Sequence, residues 1–141
     1  MNNETLLYPR TIYLDKIRPF RDDCEMIKVL VGVRRCGKSS IMELIRKQLK
    51  EEGVPEENLI FLNLDAKENL SITTKSRLIR KIDSLSNKVK SGNKYLFIDE
   101  IQNVKDFEEV INAFRVDGHY SIFITGSNSY LLSGELAVTA L

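Results

Sequence analysis

The chain has 141 residues, 43% of them apolar and 29% charged, which are ordinary values for one soluble globular domain. Its formal net charge of +1 excludes a general attraction to polyanions, so any basic surface has to be judged locally. Two cysteines are too few for a disulfide framework, so we expect reduced thiols. No apolar run is long enough to cross a membrane and no secretion signal opens the chain, so we expect a cytoplasmic protein.

Short apolar runs alternate with stretches of helical periodicity along the chain. Residues 1–25 are polar and mixed, and we expect them to lead into one domain over residues 26–141. Apolar runs bounded by turn residues predict strands over residues 26–31, 59–64, 95–98 and 120–125. Helical spacing predicts helices from Lys38 to about Gly53, from about Thr73 to Lys90 and after Asp106, with a short helical piece near residues 130–132. This alternation predicts an α/β fold of three layers with a parallel sheet.

The third helix carries signals at both ends. Asp106 and Glu109 are three residues apart in front of an apolar face, which is the spacing of a capping box. Asp117-Gly118 has the composition of a turn and is predicted to follow the helix.

A glycine loop follows the first strand directly and opens the first helix. A polyphosphate is densely anionic, so its site needs many backbone N–H donors and no bulky side chains, and Gly32 and Gly37 leave that room. Lys38 is placed to reach the β- and γ-phosphates, and Ser39 to supply a hydroxyl to Mg²⁺. The predicted ATP-binding residues are Gly32, Val33, Arg34, Arg35, Cys36, Gly37, Lys38, Ser39 and Ser40. The plain alternative is a glycine turn that only joins a strand to a helix.

Two acids follow the apolar residues of the third strand. Asp99 and Glu100 are expected at the sheet edge where ligands bind in doubly wound folds. We expect Asp99 to hold Mg²⁺, commonly through its water shell, and Glu100 to polarise the water that attacks the γ-phosphate. Alone, such a pair would be interpreted as a solvated strand end, but the glycine loop reverses that preference.

The fourth strand ends in Thr125-Gly126-Ser127-Asn128. If the strand order is 2-3-4-1, this strand lies beside the strand of the glycine loop, and Asn128 or Ser127 can bond the γ-phosphate or the attacking water. The order 2-3-1-4 does not allow it. Gly-Ser-Asn is also an ordinary turn and helix cap, so both interpretations stay open.

Other polar features receive plainer interpretations. His119 has no second ligand at metal spacing, so no metal or base role is assigned to it. A basic cluster is interpreted as a solvated helix face, with nucleic-acid contact as the less favoured alternative. Its members are Arg77, Arg80, Lys81, Lys88 and Lys90.

Three segments together resemble the AAA-type ATPases that have an extra strand and a catalytic glutamate. They are residues 32–39, residues 97–102 with the sequence Phe-Ile-Asp-Glu-Ile-Gln, and residues 125–135. More narrowly, residues 10–141 resemble a group of prokaryotic AAA-type ATPases that usually carry a C-terminal domain of unknown function. The resemblance implies roles for Lys38, Ser39, Asp99, Glu100 and a polar sensor near Asn128.

The resemblance also implies a P-loop NTPase fold cut before its fifth strand, because such proteins continue into a Gly-Arg pair, that strand and a second domain. The transition-state arginine is often supplied by a neighbouring subunit, which would make a homo-oligomer. The expected function is therefore Mg²⁺-dependent ATP hydrolysis that powers or switches a partner domain, with weak activity in this segment alone.

Two alternatives to an ATPase stay open. One is a module that uses ATP as an ordering ligand and hydrolyses it negligibly. The other is a small-molecule P-loop kinase, which is less favoured because the chain has no arginine-rich lid insertion. A GTPase is disfavoured because no Asn-Lys-x-Asp motif is present.

Overall fold

The computed structural model describes residues 21–24, 27–30, 38–126 and 138–139. Its strands are β1 Lys28–Leu30, β2 Leu59–Asn63, β3 Lys94–Asp99, β4 Tyr120–Thr125 and β5 Val138–Thr139. Its α-helices are α1 Lys38–Glu51, α2 Lys75–Ser86 and α3 Phe107–Asp117. These strands and helices confirm the predicted elements that fall in the described part, with ends shifted by a few residues. None of the described helices has the length and hydropathy needed to cross a bilayer.

The strands form one sheet in the order β2-β3-β4-β1-β5, and all neighbouring pairs are parallel. Strand β4 lies between β1 and β3, so of the two orders considered, the first four strands adopt 2-3-4-1. Because the strands are parallel, the carboxyl ends of β1, β3 and β4 lie along the same edge of the sheet. The predicted α/β fold with a parallel sheet is confirmed.

The strand β5 was not predicted from the sequence pattern. Val138 and Thr139 pair with Val29 and Leu30. Two residues are too few to show an alternating pattern, and this strand is defined by its pairing with the edge of β1.

Helices cover both faces of the sheet. On one face, α1 contributes Met42, Ile45 and Leu49 to a cluster that includes Phe97 and Phe123. On the other face, α2 and α3 pack on a larger cluster, to which the sheet contributes Leu96, Ile98, Ile122 and Ile124. Alternate residues of β3 and β4 therefore enter opposite clusters, as the period of a strand requires. The result is the three-layer arrangement expected from the sequence.

The capping box predicted for α3 is wrong. Asp106 has a left-handed backbone with φ 58°, and its side chain makes no cap hydrogen bond. The carboxylate of Glu109 instead accepts a hydrogen bond from Lys75 Nζ at 2.7 Å. A capping side chain needs an extended backbone at the first position, which residue spacing alone does not reveal. The predicted turn is confirmed, because Gly118 ends α3 with φ 90°.

Residues 21–24 bind the amino-terminal edge of the sheet and the end of α1. The Arg21 guanidinium donates to both carboxylate oxygens of Glu52, at 2.8 and 2.5 Å. The hydroxyl of Tyr95 donates to Asp22 Oδ1 at 2.7 Å, and Ser121 Oγ donates to the Arg21 carbonyl at 2.5 Å. The part of the predicted lead-in that the structure describes is thus bonded to the domain.

Lys28 begins β1 and is fully buried. Its Nζ donates to the Asp23 carbonyl at 2.5 Å and to Ser121 Oγ at 2.8 Å, and it lies 4.8 Å from the centroid of the Phe123 ring. Burial lowers the pKa of Lys28 from 10.5 to about 8, because the charged amine loses its hydration, and the charge of Asp23 only partly opposes this change.

The pKa of Lys28 predicts a pH-dependent stability. Between about pH 8 and 10.5 the unfolded chain binds more protons than the folded one, so the free energy of unfolding rises with pH across that window. From pH 8 to 9.5 we expect wild type to gain about 1.5 kcal/mol relative to a Lys28→Met variant, measured by urea unfolding. A difference between the two proteins that does not change with pH would contradict this assignment.

Candidate functional site

The two acids predicted at the end of β3 lie beside the end of β4. Asp99 is the last residue of β3 and is only 5% exposed, and Glu100 follows it and is half-buried. Thr125 is the last residue of β4 and is fully buried. Its hydroxyl donates to Asp99 Oδ1 and accepts a hydrogen bond from the backbone N–H of Glu100 at 3.1 Å. One hydroxyl therefore fixes the side chain of Asp99 and the backbone of Glu100.

Glu100 has a left-handed backbone, with φ 61° and ψ 51°. For a residue with a Cβ atom this conformation costs roughly 1–2 kcal/mol and persists only where the surroundings enforce it. Thr125 bonds the Glu100 amide, and the buried Ile101 anchors the short 3₁₀ turn Ile101–Asn103 that follows. Strained residues of this kind cluster at functional sites, which supports the assignment of Glu100 to a site.

The turn after Glu100 holds its carboxylate and binds the neighbouring segment. Gln102 Nε2 donates to Glu100 Oε1 at 2.8 Å. Asn103 Nδ2 donates to the Leu64 carbonyl at 3.3 Å and to Asp65 Oδ1 at 2.9 Å. No role for Gln102 follows from the sequence alone. Its polar side chain, two residues after Glu100, was the one signal in the sequence for a role near the acids. Spacing alone does not show which group that side chain bonds.

The phosphate side of the predicted site is described only in part. The helix α1 begins at Lys38, as predicted, and no acidic residue lies in its first turn to oppose an anion. Residues 32–37 and Asn128 lie outside the described residues, as do the side chains of Lys38, Ser39 and Ser40. The structure thus brings together Asp99, Glu100 and Thr125, while the predicted roles of the loop and of Asn128 stay predictions.

The acids fit a magnesium ion that is shared with a nucleotide. The described residues contain no cluster of three or more carboxylate, imidazole or thiol side chains. Mg²⁺ in nucleotide sites commonly takes one or two protein oxygens and completes its shell with water and phosphate oxygens. The buried carboxylate of Asp99 meets this smaller requirement, and the second protein oxygen is the one predicted from Ser39.

The strand order, the helix that starts after the first loop and the acids at the end of β3 define a P-loop NTPase-like fold of the AAA type. The chain matches the model of the AAA-domain family over residues 25–140, and it belongs to this family. The resemblance to prokaryotic AAA-type ATPases is thereby confirmed.

Two longer proteins are similar to this chain. An uncharacterized protein of Haemophilus influenzae is 39% identical over 132 residues, which cover 91% of this chain and 32% of that protein. An uncharacterized protein of Methanocaldococcus jannaschii is 34% identical over 116 residues, which cover 80% of this chain and 24% of that protein. The chain therefore spans 32% and 24% of the lengths of these two relatives. No solved structure matches the chain.

The Thr125 hydroxyl can be tested through stability. Thr125→Val keeps the shape of the side chain but leaves Asp99 Oδ1 and the Glu100 N–H without this partner inside the protein. We expect a loss of about 1–3 kcal/mol in the free energy of unfolding, measured in urea. Thr125→Ser is the matched control, since it keeps the hydroxyl, and it should lose clearly less. Equal stability of Thr125→Val and wild type would show that the hydroxyl does not hold the two acids.

Proposed function

We propose that this chain binds ATP with Mg²⁺ and hydrolyses the bond between the β- and γ-phosphates. The observation that supports the proposal most is the Asp99-Glu100 pair, which Thr125 holds at the sheet edge where β1 ends. Membership of the AAA-domain family supports nucleotide binding in general. The proposal adds the metal and the hydrolysis.

Binding is assigned to the start of α1 and the loop before it. In this scheme the backbone N–H groups from Val33 to Lys38 bind the β-phosphate, and the positive end of α1 adds to their field. Lys38 reaches the β- and γ-phosphates. Ser39 and Asp99 hold the metal, which, when bound, neutralises charge on the phosphate oxygens.

Hydrolysis is assigned to Glu100. As the water oxygen bonds to the γ-phosphorus, Glu100 accepts the water proton, the bond to the bridging oxygen breaks and ADP leaves with the electron pair. Gln102 already bonds Oε1 of Glu100, so Oε2 is the oxygen that we assign to the water. Asn128 orients the same water or the γ-phosphate in this scheme.

The work done by hydrolysis is assigned to a part of the protein beyond this segment. Both relatives are at least three times as long as the stretch that matches this chain. We propose that hydrolysis powers or switches a domain in that remaining length, in the cytoplasm. An arginine that completes the site would then come from that length or from a second copy of the chain.

Replacing the proposed base separates hydrolysis from binding. Glu100→Gln keeps the size of the side chain and its bond to Gln102 but cannot accept a proton, so phosphate release should fall by about 100-fold or more while ATP affinity stays within about twofold. Phosphate release is measured with a coupled assay and affinity by calorimetry. Glu57→Gln, at an exposed glutamate before β2, is the matched control and should change neither quantity.

Two results would contradict this assignment. If Glu100→Gln released phosphate at the wild-type rate, Glu100 would not be the base. If wild type bound ATP but released no phosphate, even within the longer protein, the domain would be a nucleotide-responsive binding module.

A further inference from the structure

A groove of about 430 Å³ lies between α2 and the segment before it. Its lining includes Arg77, Arg80, Lys81 and Ser84 from α2, and Glu68 and Ser71 from the preceding segment. None of the residues assigned above to nucleotide binding or hydrolysis lines it. The groove is therefore a separate surface feature.

The polar wall of the groove follows from the amphipathic pattern of α2. Positions 77, 80, 81 and 84 have the spacing of one helix face. Leu78 and Ile82 are fully buried against the core. With the apolar residues fixed inward, three cations face the groove and only one lining carboxylate, that of Glu68, opposes them.

The cations of the groove do not form the ion pairs that several other cations in the described part of the chain form. Arg21, Arg46, Lys50 and Lys75 each form an ion pair with a glutamate. Arg80 and Lys81 form no ion pair with any described residue, and Arg77 donates only a long bond, 3.5 Å, to the Ser71 carbonyl. Among the lining residues, the charge of Arg77, Arg80 and Lys81 is thus opposed only by Glu68, which leaves an excess of positive charge.

We propose that this groove binds the phosphate groups of a nucleic-acid duplex. Guanidinium groups bind phosphate in a bidentate geometry, and Lys81 adds a point charge. From position 77 to position 81 the helix advances about 6 Å, so the three cations are close enough together to contact neighbouring phosphates of one strand. The lining residues in the described part include no aromatic side chain, so the stacking platform of single-strand binders is missing. A duplex presents its phosphates outward with its bases stacked inside, so a cationic groove without aromatic side chains is compatible with its backbone.

The segment that forms the groove is also bonded to two segments next to the acids. Asn69, in its wall, donates from Nδ2 to the Asn63 carbonyl at 2.7 Å, at the end of β2. The backbone N–H of Lys105, just after the turn that holds Glu100, donates to the Thr73 carbonyl at 3.2 Å. The groove thus lies on the segment joined to that turn, although binding of a duplex requires no nucleotide and does not depend on the proposed hydrolysis.

A salt series tests the groove. Binding of a fluorescently labelled 20-base-pair DNA is measured by anisotropy, without nucleotide, for wild type and for the double variant Arg80→Ala, Lys81→Ala. We expect at least a tenfold loss of affinity at low salt, and a slope of log affinity against log salt that is shallower by about 2, since two phosphate contacts are removed. Both side chains lie on the polar face of α2, and circular dichroism checks that the variant stays folded.

The matched control is the double variant Lys47→Ala, Lys105→Ala, which removes the same charge from exposed positions outside the groove. Its affinity should stay within about twofold of wild type, and its slope should not change. If the two double variants lost the same affinity for the duplex, the loss would be due to net charge and not to the groove, and the proposal would be overturned. So would the absence of duplex binding by wild type at low salt, or tighter binding of a single-stranded oligonucleotide of the same length.

Discussion

The placement of β4 between β1 and β3 is the constraint on which the rest of the site depends. On one side Thr125 is in register with Leu30, the last described residue of the strand that leads into the glycine loop. On the other side Ile124 is in register with Ile98, so Thr125 reaches the level of Asp99. In the order 2-3-1-4, β4 would not pair with β3, and the Thr125 hydroxyl could not bond both Asp99 and Glu100.

Packing makes this arrangement rigid enough to hold unfavourable local states. Asp99 is a buried carboxylate and Glu100 has a strained backbone. Asp99 accepts a hydrogen bond from the hydroxyl of Thr125, at the end of the central strand β4, and the Glu100 N–H donates one to it. Below them, the stacked rings of Phe97 and Phe123, 4.8 Å apart between centroids, join β3 to β4. The contacts of residues 21–24 hold the opposite edge. The core thus positions the acids without contributing any side chain to the chemistry.

The sequence predicted the elements of this fold because residues that face the core are apolar and recur at the period of a strand or a helix. Apolar runs predicted the first four strands, but the sequence left two strand orders open, and the pairing of β4 with both β1 and β3 decides for 2-3-4-1. The features that were missed depend on pairing or on backbone angles, which periodicity does not encode. The two residues of β5 owe their conformation to the edge of β1, and the left-handed backbone of Asp106 removes the capping box. In the same way, no spacing rule links Gln102 to Glu100 or gives Thr125 two partners.

Every proposed activity of this site requires that the glycine loop and Lys38 bind a polyphosphate. Calorimetric titration of wild type and a Lys38→Ala variant with a non-hydrolysable ATP analogue and Mg²⁺ measures it most directly. Wild type should bind the analogue, and Lys38→Ala should bind it at least about tenfold more weakly, because a lysine contact to the phosphates is lost. Equal affinity of the two proteins, or no binding by folded wild type, would contradict the assignment of this domain as a nucleotide-binding site.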